Sequence, residues 1–347
     1  MPHFPLRLTL DGDALVANWR WLDARSVDAA CGAAVKADGY GLGAVEVTRR
    51  LAQVGCRDFF VATWAEAEEL LPHLPGDAAL AVLHGVADED AAGAAASRAR
   101  PVLNTALQVR RWKEAAPGRA CDVMIDTGIG RLGLSPEEVR SGLLDGLAID
   151  TLMSHLACAD QDVPMNPRQR DLFAEVAAAV PARRLSLANS AGICLGRRYG
   201  FGLTRPGLAL YGGIPRREAE GHIRQVARVE AQVVQRKRIE AGATIGYNAT
   251  FTAEAPCELA ILNIGYADGY LRGFSGTGRA RWGEAVLPVV GRVSMDLTAV
   301  RADAAPDLEE GDWVELDYAL PAAAAQSRLS QYELLTTLGA RHARTWV

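Results

Sequence analysis

Residues 31–44 read CGAAVKADGYGLGA: a small apolar run that ends in a lysine and gives way to a glycine-rich loop. The run CGAAVKA (31–37) predicts a buried strand with Lys36 at its carboxyl end. The glycines of ADGYGLGA allow backbone to approach a ligand closely. The downstream sequence decides what kind of sheet this strand joins.

Short apolar runs recur downstream as DFFVAT (58–63), ALAVLH (79–84), RPVLN (100–104) and CDVMID (121–126), then IDTLMSH (149–155), RLSLAN (184–189) and FGLTR (201–205). Amphipathic stretches such as AVEVTRRLAQVG, WAEAEELLPHL, ALQVRRWKEAA and PRQRDLFAEVAAAV separate them. Apolar strands alternating with helices indicate a parallel sheet covered on both faces. Eight such units match an α/β fold of the (β/α)₈ TIM-like barrel type. A doubly wound sheet competes, but no GxGxxG fingerprint follows the first strand.

Beyond about residue 222 the texture changes. VARVEAQVVQRKRI alternates apolar with polar residues, and CELAILNIGYA, EAVLPVVGRVSMDLTAVRA and GDWVELDY add further strand-like runs. The expected organisation is a barrel over residues 11–222 and a C-terminal, mainly β domain over 223–347, closed by a short helix in SQYELLTTLG. An N-terminal strand over residues 5–10 is expected to pack against that domain. A helix capped near Asp11 follows it, with Leu15, Trp19 and Leu22 on one face.

The chain of 347 residues is 49% apolar with a formal net charge of −5. That mild acidity supports neither nucleic acid nor an anionic membrane as the main partner. Six cysteines and six histidines are scattered without CxxC or HExxH spacing, so buried free thiols and no metal are expected. The N-terminal residues show no signal-peptide pattern, and no run approaches the ~18 apolar residues of a membrane span. A cytoplasmic protein is the expectation. Of 37 basic residues only Lys36, Lys113 and Lys237 are lysines. Coding bias accounts for the skew. Lys113 and Lys237 lie in charged surroundings and read as solvated surface.

Lys36 is different, because barrel active sites lie at the carboxyl ends of the strands. Partial desolvation there depresses an amine's pKa and frees it for Schiff-base chemistry. Position alone equally allows a lysine that extends from a strand end into solvent.

AVKADGYGLGA resembles the pyridoxal-phosphate attachment motif of the alanine racemases, and seven further blocks match that family in order. They are DTGIGRLG (126–133), MSHLACAD (153–160), ANSAG (188–192), TRPGLALYGG (204–213), GYNATF (246–251), GYADGY (265–270) and GRVSMD (291–296). The resemblance spans nearly the whole chain and implies that Lys36 binds pyridoxal 5'-phosphate covalently. It implies two bases for interconverting L- and D-alanine, Lys36 on one face and Tyr247 of the partner subunit on the other, in a homodimer that supplies D-alanine for peptidoglycan.

Tyr247 needs help to act near neutral pH, since an ordinary phenol ionises near 10. The resemblance supplies His155 and Arg205 as cationic partners, with Arg205 also facing the cofactor's ring nitrogen. For the phosphate it implies Tyr40, Ser190 beside Asn189, and the backbone around Gly207 and Leu208. Arg131 and Met295 are implied for the substrate carboxylate, and Tyr266 and Asp296 for the entrance. Without the resemblance, a satisfied core residue is the minor reading of His155, whereas an ordinary strand aromatic is the leading reading of Tyr247.

Two positions depart from the family pattern. Met124 stands where many members carry a carbamylated lysine that holds the carboxylate-binding arginine. Ala340 stands where some have a phosphate-contacting tyrosine. Related racemases acting on serine, lysine or several amino acids, and a non-catalytic pyridoxal-phosphate carrier, are the alternative functions.

Overall fold

The computed structural model describes residues 4–347. The chain starts with strand β1 (Leu6–Leu10) and a helix, Gly12–Ser26. The Asp11 carboxylate accepts the Ala14 amide at 2.8 Å and caps that helix. Leu15, Trp19 and Leu22 are all buried along it, as a 3.6-residue period requires. The chain divides into two compact units, one made of residues up to Ala14 with Gln225–Val347, the other Leu15–Arg224.

The second unit is a parallel barrel. Its strands are β2 (Ala30–Cys31), β3 (Ala33–Ala34), β4 (Asp58–Val61), β5 (Ala79–Val82) and β6 (Arg100–Leu103), then β7 (Ala120–Met124), β8 (Ala148–Met153), β9 (Ala182–Ser186) and β10 (Leu203–Thr204). They run in the order β2-β10-β9-β8-β7-β6-β5-β4-β3. The strand expected over 31–37 is therefore two short pieces joined at Gly32, one pairing β10 and the other β4. A Cβ at Gly32 would lie 2.7 Å from the Asp58 carbonyl oxygen, so the break occurs where only glycine fits. The two pieces together close an eight-strand cylinder.

Strand pairing ends at Ala34 and chain direction changes at Lys36. Ala37, Asp38, Gly39 and Tyr40 have φ of 53°, 52°, 61° and 58°. Lys36 thus opens a left-handed turn instead of ending a strand. Left-handed backbone costs a non-glycine residue roughly 1–2 kcal/mol, so neighbouring structure must hold this turn. The Gly39 amide donates to the Val35 carbonyl at 2.8 Å, and the Asp38 carboxylate accepts the Ala44 amide at 2.8 Å.

The amino ends of the strands carry a buried ionic layer. Arg184 pairs with Asp58 and, at 3.3 Å, with Asp150; Arg100 reaches Asp122 at 3.3 Å and Asp150 at 3.1 Å. Asp122 is fully buried, and burial pushes its carboxyl up to about 6 despite Arg100.

The other unit is antiparallel apart from one edge. It uses β11 (Ala227–Ile239), β12 (Thr244–Ile245), β13 (Phe251–Thr252), β14 (Cys257–Leu262) and β15 (Arg279–Trp282), then β16 (Ala285–Val290), β17 (Thr298–Arg301), β18 (Trp313–Leu316) and β19 (Ala343–Trp346). The pairings β11-β14-β17-β16-β15-β18-β11 close a ring. The first half of β11 continues past the ring to pair with β1, which also pairs with β19. Helix Gln331–Thr336 falls in the segment expected to be helical, whereas Leu320–Ser327 adds a helix that was not expected.

All six cysteines are free, five of them buried. Lys113 departs from the surface reading: its ammonium donates to the Leu143 carbonyl at 2.8 Å. Among the described residues no helix is long and apolar enough to cross a membrane.

Candidate active site

A cavity of about 230 Å³ opens at the carboxyl ends of the barrel strands. Lys36, Tyr40, Met124, Arg131, His155 and Arg205 line it, with Phe60, Ala62 and His84. Together these nine residues lie at or just beyond the carboxyl ends of six strands, β3, β4, β5, β7, β8 and β10, so the cylinder brings distant stretches of sequence into one site. All six of the first group were singled out by sequence.

The lining is basic and contains no carboxylate. Burial lowers the pKa of the Lys36 amine, and Arg131 and Arg205 lower it further, while Glu66 opposes them. Such an amine keeps more of its nucleophilic free form near neutral pH. The same surroundings correct the expectation of a cationic His155. Burial, Arg205, Arg131 and Lys36 push its pKa down to about 3. Its imidazole is neutral and cannot lend positive charge to a phenol. Arg205 is lowered to about 10 by burial and remains charged near neutral pH. Its guanidinium donates to the Ser186 hydroxyl and, at 2.6 Å, to the Ser154 carbonyl.

The candidate phosphate residues gather beside Tyr40. Its ring stacks on Tyr211 at 4.6 Å between centroids, and Tyr211 donates to the Ala34 carbonyl at 2.8 Å. A Cβ at Gly207 would sit 2.1 Å from the Tyr40 hydroxyl oxygen. Ser190 Oγ accepts the Gly207 amide at 3.0 Å and the Ala209 amide at 3.2 Å. The Gly207 and Ala209 amides thus converge on one hydroxyl. Asn189 caps the turn that follows, accepting the Gly192 amide at 2.9 Å. Leu208 opens a short 3₁₀ turn. A lysine amine in a basic cavity, with a phenol, serine and turn amides nearby, fits pyridoxal phosphate.

Arg131 makes no hydrogen bond or ion pair with any described residue; its loop is what places it. The Asp126 carboxylate accepts the amides of Gly128, Ile129 and Gly130 at 2.8, 3.0 and 3.2 Å. The Leu134 amide then donates to the Met124 carbonyl at 2.9 Å and closes the loop. Met124 is buried and presents only a thioether to the cavity. Sequence reasoning missed Gln169, a buried helix residue that ties the walls together. Its amide donates to the His155 carbonyl at 3.0 Å and accepts the Ala157 amide at 2.8 Å.

Tyr247, Met295, Tyr266 and Asp296 belong to the β unit. Tyr247 stands on the tip between β12 and β13, 65% exposed. Ile245 and Phe251 on either side pack onto Cys257, Leu259 and Val290, so the hairpin base is fixed and its tip projects. Met295 is exposed too. The Arg272 guanidinium lies 5.1 Å from the Tyr266 ring centroid. Asp296 accepts from Arg341 at 2.8 Å, and Arg341 also donates to buried Asp268 at 2.6 Å. Ala340, beside it, is exposed and carries no polar side chain.

Two family models match, "Alanine racemase, N-terminal domain" over residues 10–215 and "Alanine racemase, C-terminal domain" over residues 226–346. The chain is 41% identical to an alanine racemase of Acidiphilium cryptum, with 97% of each chain covered. It is 39% identical to a catabolic alanine racemase of Agrobacterium fabrum, covering 98% of this chain and 92% of that one. Among solved structures, the alanine racemase of Bartonella henselae with covalently bound pyridoxal phosphate superposes with a TM-score of 0.93 at 35% identity, over all of both chains. The biosynthetic alanine racemase of Pseudomonas aeruginosa gives 0.91 at 30% identity, covering 99% of this chain and all of that one.

Proposed function

The chain belongs to the alanine racemase family, and from that premise we propose that it racemises alanine with two bases, Lys36 and Tyr247 of the partner subunit. The observation that carries the reading is the Lys36 amine, set in a basic cavity that lowers its pKa. Pyridoxal phosphate, when bound, supplies the electron sink that makes a Cα proton removable.

Lys36 would hold the cofactor, and its amine would take or return the Cα proton on its own face. Tyr40 and Ser190, with the turn at Leu208 and the cap at Asn189, hold the phosphate. Arg205 would hold the ring nitrogen as a hydrogen-bond donor. A guanidinium stays protonated and does not hand over its proton, so Arg205 would leave the ring a weaker sink and disfavour side reactions such as transamination. Arg131 holds the substrate carboxylate, with Met295 of the second subunit beside it.

Exposure of the Tyr247 tip supports a shared site. Tyr247, Met295, Leu297 and Val234 are exposed large hydrophobic side chains of the β unit, and exposed apolar groups of this kind favour burial against a partner. A second copy of the chain is the partner proposed. Tyr266 and Asp296 then line the entrance, with Asp296 fixed by Arg341. The role proposed is supply of D-alanine for peptidoglycan.

The test is to incubate the purified protein with pyridoxal phosphate and L-alanine and follow optical rotation. Decay of the signal to zero is expected. An unchanged signal with normal cofactor loading overturns the reading, and loss of signal with serine or lysine alone reassigns the substrate.

A further inference from the structure

Glu66 has no place in the racemisation chemistry, yet its carboxylate sits at the root of the turn that carries Lys36. Oε1 accepts the Ala37 amide at 2.6 Å. Oε2 accepts the Ala62 amide at 2.6 Å and the Thr63 amide at 3.1 Å. Ala62 and Thr63 leave the end of β4, and Ala37 is the first left-handed residue after Lys36. One side chain thus joins two βα loops of the cylinder.

A helix cap alone explains only part of this. Thr63 Oγ accepts the Glu66 amide at 3.3 Å, and Glu66 returns a bond to the Thr63 amide, forming a capping box. That reciprocal pair needs one carboxylate oxygen. The other is directed at Ala37, 29 residues away in sequence. Its partner opens five successive residues of positive φ, Ala37 to Gly41, three of them not glycine. A fixed anchor is what such a turn requires, because strained backbone persists only where its surroundings over-determine it.

We propose that Glu66 is a positioning residue for Lys36, fastening the left-handed turn to the end of β4 so that amine and Tyr40 keep their places in the cavity. The proposal rests on Lys36 being the cofactor-bearing base, and on nothing about which amino acid is turned over. Glu66 has an electrostatic effect as well. Around Lys36 stand Arg131 after β7, neutral His155 after β8, Arg205 after β10 and Tyr40 on its own turn, and Glu66 is the carboxylate that offsets the two arginines.

Glu66→Gln tests the anchor with little change of shape, since an amide cannot accept from both sets of backbone donors. In the holoenzyme, kcat is expected to fall by about tenfold or more, because misplaced catalytic groups are costly, with KM for alanine nearly unchanged. The acid limb of the kcat–pH profile should move to lower pH, as the arginines lose their opposing charge. Hydrogen exchange at the Ala37 amide should accelerate. Glu66→Asp keeps the charge and should leave that limb near its original position; it also serves if the glutamine variant folds poorly. Thr63→Ala removes the cap hydroxyl and should lower thermal stability without moving the limb or the Ala37 exchange. Equal shifts in Thr63→Ala, an aspartate variant whose limb moves like glutamine's, or a glutamine variant with unchanged kcat, pH profile and exchange would each overturn the proposal. Should the wild-type protein not racemise alanine, the substrate reading fails, while exchange at Ala37 still reports on the anchor.

Discussion

The Tyr40 hydroxyl lies so close to Gly207 that a Cβ there would approach its oxygen to 2.1 Å. The phenol therefore occupies the space a side chain would take, on a ring braced by Tyr211. Gly207→Ala must displace Tyr40 from the proposed phosphate site. Cofactor affinity is expected to fall by about tenfold or more, the scale of one lost hydrogen bond to a charged group. Fluorescence titration of the apoenzyme with pyridoxal phosphate measures it. Tyr40→Phe, which removes only the hydroxyl, should give a similar loss with unchanged thermal stability; full affinity in both variants would remove Tyr40 from the site.

His155 provides the second prediction. Its pKa, pushed down to about 3, lies below the ordinary value of 6.5, so the unfolded chain binds more protons between those limits. Stability from this residue is present above pH 6.5 and declines as pH falls through the window. From pH 6.5 to 5 the loss is about 2 kcal/mol. His155→Asn should flatten that part of the stability curve in urea unfolding. In the wild-type protein, ring-nitrogen chemical shifts should remain those of a neutral imidazole down to pH 5.

Asp122 should show the opposite slope. Its carboxyl is raised to about 6, above the ordinary value near 4, so the folded chain binds more protons between the two. Stability falls as pH rises through that window, on the order of 1.4 kcal/mol per unit. Asp122→Asn abolishes the slope and leaves the His155 contribution intact. Urea unfolding of the two single variants at pH 4.5 and 6.5 separates the opposing effects; an unchanged slope in Asp122→Asn would place its titration elsewhere.

The alternation of apolar runs with helices was enough to read the barrel, because continuous apolar strands need cover on both faces. Lys36 was legible by position, but its backbone was not. A one-letter run cannot show that Gly32 splits the first strand or that Ala37 to Tyr40 turn left-handed, since packing against Asp58 and the Glu66 carboxylate imposes both. His155 lines the cavity, but its charge was not legible in the sequence. Its neutrality comes from Lys36, Arg131 and Arg205, which are remote in sequence and converge only when the cylinder closes. Glu66 left a signal in the Thr63-to-Glu66 spacing of a capping box. Such a spacing marks a helix start and carries no information about the bond to Ala37.

Subunit mixing shows where Tyr247 acts. Its phenol stands on a projecting hairpin tip of the β unit, and the proposal gives it to the partner's site. Lys36→Ala and Tyr247→Phe should each be almost inactive as pure proteins, with Tyr247→Phe still binding the cofactor covalently. Mixed and reassembled in equal amounts, random pairing makes about half the dimers mixed. In a mixed dimer with shared sites, one site combines Lys36 of one subunit with Tyr247 of the other, and is intact. The second site lacks both. Activity should therefore recover to about a quarter of the wild-type level. If Tyr247 served its own subunit, each site of the mixed dimer would lack one base and nothing would be recovered. Racemase assays before and after reassembly separate the two arrangements.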